Sequence, residues 1–185
     1  MSSKLHDLES LRNAVLSGAR VEYLFFWGHT PANRDRIGKE CLSQWYPARF
    51  ELDGLSFPTA EHYMMYRKAV LFGDHETADR ILHAPDPRAA KAIGRSVRGF
   101  VETVWRDHRS TIVADGNHAK FSQSLGLREF LLNTQQRVLV EASPVDRVWG
   151  IGLAADDEHA DNPLMWRGLN LLGFALMEVR DRLAG

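Results

Sequence analysis

The stretch ARFELDGLSFPTAEHYMMYRKAVLFG, residues 48–73, contains both kinds of secondary structure and sets the fold class. Two apolar runs between Ala48 and Phe57 flank Asp53-Gly54, a turn dipeptide that tolerates positive φ, so the first half predicts a β-hairpin. Pro58-Thr59 then opens a helix. Thr59 can cap it, and Glu61 falls in the first turn, where the macrodipole favours a negative charge. That helix is expected to run to Leu71 or Phe72 and to stop at Gly73.

On the N-terminal side, an amphipathic leader around Leu5 to Leu16 occupies residues 1–20 and leaves 21–185 as one domain. The aromatic, β-prone run from Val21 to Trp27 predicts a strand, and Gly28 to Glu40 a polar loop. On the C-terminal side, Asp74 to His83 and Asp86 to Gly94 predict short helices, the second opened by Asp-Pro. Phe100 to His118 and Leu127 to Asn133 are expected to be helical. Val138 to Glu141 and Val148 to Ile151 are expected to be short strands, and Asn170 to Leu183 a closing helix with an apolar stripe. The expected architecture is α+β: a predominantly helical single domain with a few short strands.

The chain has 185 residues, 44% hydrophobic and 25% charged, which suffices for one buried core. Its net charge of -1 argues against a protein that coats nucleic acid or anionic membrane. That balance is an average over segregated regions. Arg88 to Lys120 carries seven basic residues against three acidic, whereas Glu141 to Asp161 carries six acidic against one basic. If the fold brings the two segments together, this balance does not argue against one phosphorylated ligand in one pocket. Cys41 is the only cysteine, so no intramolecular disulfide forms and no cysteine-based zinc site closes within the chain. No segment approaches the roughly 20 apolar residues of a membrane span, and no signal-peptide core precedes Ala14. A cytoplasmic protein without membrane partners is expected.

Two constellations could carry chemistry. On a helical wheel Lys68 lies beside Glu61, with Met64, Met65 and Phe72 flanking both, so a carboxylate and an amine share an apolar face. In one reading they pair or face a lined cavity, with tuned pKa values; in the other, Glu61 serves the helix dipole and Lys68 snorkels outward. The second runs from Glu141 through Asp146 to Trp149, Gly150 and Gly152. There a strand ends in a proline turn, presents Asp146 and enters a segment where backbone can approach a ligand closely. Trp105 is either core or a platform for a flat base; Lys120 and Arg95 follow helix ends as solvated charges or phosphate ligands. His62 reads as a packed helix residue, and Asp156 to Asp161 as a solvated loop. There is no GxGxxG, P-loop, GxSxG or HExxH.

The order of short segments is itself informative. Leu42-Ser43-Gln44-Trp45 is followed by Pro58-Thr59-Ala60-Glu61-His62-Tyr63, Lys68-Ala69, Gly94-Arg95, Trp105 and Lys120-Phe121. Then come Leu139-Val140-Glu141, Asp146, Trp149-Gly150 and Leu172-Gly173 through Leu176 to Arg180. In order and spacing, from about Tyr23 to Leu183, this resembles the NADAR family, also called YbiA-like. The resemblance implies a compact, largely helical α+β domain with a pocket for a ribosyl compound. YbiA-like members are N-glycosidases that hydrolyse the first, reactive intermediates of riboflavin biosynthesis; others are linked to ADP-ribose chemistry, including its removal from guanine. By the same resemblance the family's catalytic glutamate falls on Glu61, its helix tryptophan on Trp105 and its acid before WG on Asp146. Lys68, Arg95 and Lys120 match further polar positions, and Ser43, Gln44, Trp149 and Gly150 match substrate-contacting ones. The family's aromatic-Ser-Asn-aromatic is here Leu42-Ser43-Gln44-Trp45, and Ile151 stands where riboflavin-type members often have an acid after WG.

The implied chemistry is cleavage of an N-glycosidic bond. Glu61 would work at the anomeric carbon, Asp146 would orient water or the ribose hydroxyls, and Trp105 would stack on the base. Lys68, Arg95 and Lys120 would hold phosphate or keep Glu61 ionised, and no metal or other cofactor is required. Three readings follow: an N-glycosidase on small phosphorylated ribosides, a hydrolase of ADP-ribosyl guanine in nucleic acid, and a non-catalytic sensor of NAD-like ligands.

Overall fold

The computed structural model describes residues 5–31, 33 and 36–185. The first four residues of the expected leader and positions 32, 34 and 35 of the expected polar loop lie outside the described residues. Helices dominate: α1 (Leu8–Leu16), α2 (Ala60–Leu71), α3 (His75–Leu82), α4 (Pro87–Gly94), α5 (Glu102–Ser122), α6 (Leu125–Leu132) and α7 (Leu171–Ala184). Among the described residues four short strands accompany them: β1 (Tyr23–Phe26), β2 (Phe50–Leu52), β3 (Leu55–Phe57) and β4 (Val138–Glu141), with a 3-10 turn at Lys39–Leu42. No helix among the described residues is long and apolar enough to cross a membrane.

The hairpin forms as expected. β2 and β3 pair antiparallel with Phe50 opposite Phe57, and Asp53 and Gly54 both take positive φ, the geometry that matches the strand twist. Asp7, Thr59, Asp74 and Asp86 each accept from the backbone N–H three residues on and cap α1 to α4. The leader helix packs onto the rest: Leu11 is fully buried and Arg12 Nε donates to the Pro163 carbonyl at 2.9 Å.

The second sheet joins distant parts of the chain. β1 and β4 pair parallel, Tyr23 with Val138 through Phe26 with Glu141, so everything between them forms the crossover. Val138, Leu139 and Val140 are fully buried, as an almost continuous apolar run in a covered parallel pair should be. α7 packs against β4 so closely that a Cβ on Gly173 would overlap the Leu139 carbonyl. Asn170, fully buried and left-handed at φ 53°, precedes α7. Its Nδ2 donates to the Leu139 carbonyl at 2.9 Å and its Oδ1 accepts from the Glu141 N–H at 3.0 Å, which clamps the end of β4.

Two expectations need correction. Val148 to Ile151 is not a strand. Asp146 Oδ1 accepts from both the Val148 and Trp149 N–H groups at 2.8 Å, and this side-chain turn competes successfully with an extended backbone. Lys120 does not follow the end of α5 but lies inside it, 1% exposed, because the helix continues to Ser122.

Candidate active site

α2 packs against α4, its N-terminus is bonded to the loop that follows the 3-10 turn, and Glu141 at the end of β4 lies within electrostatic reach of Glu61 and Lys91. Glu61 enters from the second position of α2. Thr59 caps that helix through the His62 N–H, and the Glu61 N–H is taken by the Gln44 carbonyl at 3.0 Å. The side chain is therefore turned inward on a rigid element, 2% exposed. Burial pushes its carboxyl up to about 7. The Lys91 charge, a hydrogen bond from the Trp45 side chain and, more weakly, Arg95 oppose that rise, and the Asp146 charge adds to it. Its Oε1 is buried without a hydrogen-bond partner.

Glu141 ends β4 on the same site. Burial raises its carboxyl to about 8; the negative charges of Asp146 and Glu61 push the same way, and Lys91 opposes them. Its Oε2 is likewise buried and unpartnered. Asp146 follows in the turn after β4, half-buried. Three carboxylates thus lie within electrostatic reach of one another around Lys91, whose ammonium is 5.9 Å from the Trp45 ring centre. No group of three His, Cys, Asp or Glu side chains among the described residues could hold a metal ion, so these carboxylates border the site rather than converge on one point. Glu141, raised to about 8 by burial, holds its proton at neutral pH.

The Glu61–Lys68 pairing expected from the helical wheel is not formed. Seven residues separate the two by about 10 Å along the axis, so a shared face does not bring them together. Lys68 instead donates to the Gly94 carbonyl at 2.9 Å, which caps the end of α4, and lies 4.4 Å from the Phe100 ring centre and 5.9 Å from that of Trp105. The cation closest in effect to Glu61 is Lys91, one helix away. Arg95, exposed at the end of α4, acts electrostatically on both Glu61 and Lys68 and links the two groups of residues. Trp105 is 7% exposed on α5, on the Lys68 flank.

The other expected residues frame the site. Lys120 Nζ donates to the Cys41 and Ser43 carbonyls at 2.6 and 2.9 Å and so holds the segment that carries Trp45, while burial pulls its amine down to about 7. Ser43 Oγ accepts from the Trp45 N–H at 3.2 Å, and Gln44 Oε1 accepts from Asn117 on α5 at 2.7 Å. Both support that segment from within. Trp149 is half-buried, and Gly150 is obligatory: a Cβ there would lie 2.8 Å from the Glu141 carbonyl. His62 is the packed residue expected. Its Nε2–H donates to the Ala84 carbonyl at 3.2 Å and its Nδ1 accepts from Thr59 at 2.8 Å, a neutral ring whose protonation burial disfavours. Sequence reasoning gave no role in the site to Lys91, Trp45 or Glu141, although it placed Glu141 at the start of the second constellation. A visible signal existed for Glu141, a carboxylate ending a wholly apolar strand five residues before another acid.

The NADAR domain family matches residues 25–184. An N-glycosidase of Acanthamoeba polyphaga mimivirus is 42% identical over 165 residues, covering 86% of this chain and 95% of that protein. The N-glycosidase YbiA of Escherichia coli is 32% identical over 134 residues, 72% of this chain and 75% of its own length. The NMR structure of E. coli YbiA superposes with a TM-score of 0.68 at 27% identity, covering 88% of this chain and 85% of that one.

Proposed function

The chain belongs to the NADAR family, and from that premise we propose that it hydrolyses the N-glycosidic bond of a phosphorylated riboside, an early intermediate of riboflavin biosynthesis. At the coarser level it is a hydrolase of N-glycosyl bonds, the activity its relatives are named for. The observation that carries the finer reading is the group of carboxylates around buried Glu61 with Lys91 and Arg95 acting on it. Glu61 and Asp146 supply negative potential for a ribosyl cation, while Lys68, Lys91 and Arg95 supply positive potential for a phosphate beside it.

Breaking the bond leaves positive charge on the ribose and negative charge on the departing base. Ionised Glu61, fixed at the start of α2, stabilises the developing cation and takes a proton from the attacking water. Asp146 orients that water or the ribose hydroxyls with the oxygen its turn leaves free, since Oδ1 is occupied by two N–H groups. Half-buried Trp45 beside Glu61 offers aromatic surface for the base, and Trp105, 7% exposed beside Lys68, backs that flank from the core. Ser43, Gln44 and Lys120 support the Trp45 wall, and Gly150 lets backbone close against the end of β4.

The test is incubation with a ribosylaminopyrimidine 5′-phosphate and, separately, with ADP-ribosylated guanine in DNA, following freed base by chromatography. Release of pyrimidine and ribose 5-phosphate from the first alone is expected. Turnover of the second alone, weakened by salt, would assign the site to nucleic acid instead.

A further inference from the structure

We propose that Glu141 is a second catalytic residue, the acid that gives its proton to the nitrogen of the departing base. The proposal rests on the N-glycosidase reading above and assigns the cluster's proton by the partners of each carboxyl group. Asp146 spends Oδ1 on two backbone N–H groups, an arrangement that suits an acceptor. Glu61 also has a buried unpartnered oxygen and the Asp146 charge against it, but it faces Lys91, Arg95 and a donor from Trp45, three neighbours that favour its carboxylate form. Glu141 has no such support. Its Oε2 is buried with no donor in reach, and it faces Asp146 and Glu61 with Lys91 as the one opposing charge. An unpartnered buried oxygen is costly as an anion, whereas a carboxylic acid carries its own hydrogen and can present it to a ligand. The rise of Glu141 to about 8 agrees with this placement and keeps the group protonated at neutral pH.

The backbone around Glu141 is built to hold the side chain still. Asn170 Oδ1 accepts from its N–H at 3.0 Å, its carbonyl accepts from the Ile151 N–H at 2.9 Å, and Gly150 packs against that carbonyl. The glutamate therefore projects from a clamped strand end rather than from a loop.

The step balances as follows in atoms and charges. The C–N bond breaks with its electron pair passing to the base nitrogen, which takes the proton of Glu141. Water bonds to the anomeric carbon and loses a proton to Glu61. Turnover ends with Glu61 protonated and Glu141 ionised, and one proton moved between them through solvent restores the resting pair.

The experiment compares two substrates with wild type, E141Q and E141D. A ribosylaminopyrimidine 5′-phosphate needs its leaving nitrogen protonated; 4-nitrophenyl riboside 5′-phosphate leaves as a stable phenolate and does not. E141Q is expected to slow the first by about 100-fold or more and the second only slightly, with E141D between. On wild type alone, the rate should fall above about pH 8 for the first substrate and stay flat for the second. Equal losses on both substrates, or an alkaline fall with both, would reduce Glu141 to a positioning residue and overturn the proposal. The wild-type profile decides the matter even if E141Q fails to fold. Should wild type release base from neither compound, the N-glycosidase reading falls and this proposal with it, an outcome distinct from the loss of Glu141's role alone.

Discussion

Replacing Glu61 by Gln should make the protein more stable at pH 8 while leaving it unchanged at pH 4. Gln has the shape of a protonated glutamic acid, so below pH 4.5, where both folded and unfolded Glu61 hold a proton, the two proteins are nearly equivalent. Between pH 4.5 and 7 the native chain retains a proton that the unfolded chain has released, because burial raises the folded group from 4.5 to about 7. Wild-type stability therefore falls as pH rises through that window and stays reduced above it. At 1.36 kcal/mol per pH unit the rise corresponds to about 3 kcal/mol. For a chain of this size that is on the order of 6–12 °C in Tm. E61Q escapes the penalty, and removing the Glu61 charge also eases ionisation of Glu141. The assay is thermal unfolding of both proteins in matched buffers from pH 4 to pH 8.5. Parallel stability curves across that range, or an E61Q protein less stable at pH 8, would mean that the Glu61 charge is welcome in the fold, and the tuned-carboxylate account would be wrong.

W45F removes the hydrogen bond that favours ionised Glu61, so the acidic limb of the rate profile should move upward by on the order of one pH unit; an unmoved limb would show that Trp45 does not set this titration. K120M strands the Cys41 and Ser43 carbonyls and should cost about 2 kcal/mol in urea unfolding, with weaker substrate binding as the Trp45 segment loosens. A stabilised K120M would instead mark the buried ammonium as a net cost. N170A loses two buried hydrogen bonds and places alanine at φ 53°, for about 3 kcal/mol in total, whereas N170G should recover about 1 kcal/mol of that by relieving the left-handed strain. Equal stabilities of the alanine and glycine variants would refute the strain component.

Local chemistry made most elements legible. Asp53-Gly54 dictates its own turn, Thr59, Asp74 and Asp86 cap the helices they precede, and the Val138–Glu141 run can only be a covered strand. The Val148–Ile151 strand failed because propensity was weighed without the Asp146 side chain, whose two hydrogen bonds bend the backbone there. Of the site, Glu61 and Asp146 stood out as a carboxylate in an apolar face and a carboxylate before glycines. The cation beside Glu61 could not be read correctly. A helical wheel shows only neighbours on one helix, and Lys91 arrives from α4 through tertiary packing. Lys120 looked like a solvated terminal charge until α5 proved a turn longer, which carried the ammonium beneath the Cys41–Ser43 carbonyls.

The most direct test of the catalytic account is the rate of base release from a ribosylaminopyrimidine 5′-phosphate at pH 7 by wild type and E61Q, with the melting curve of each sample recorded alongside. The account predicts that E61Q remains folded and loses turnover by about 100-fold or more. Turnover equal to wild type in a folded E61Q protein would contradict it, leaving Glu61 as no more than a charge at the start of a helix.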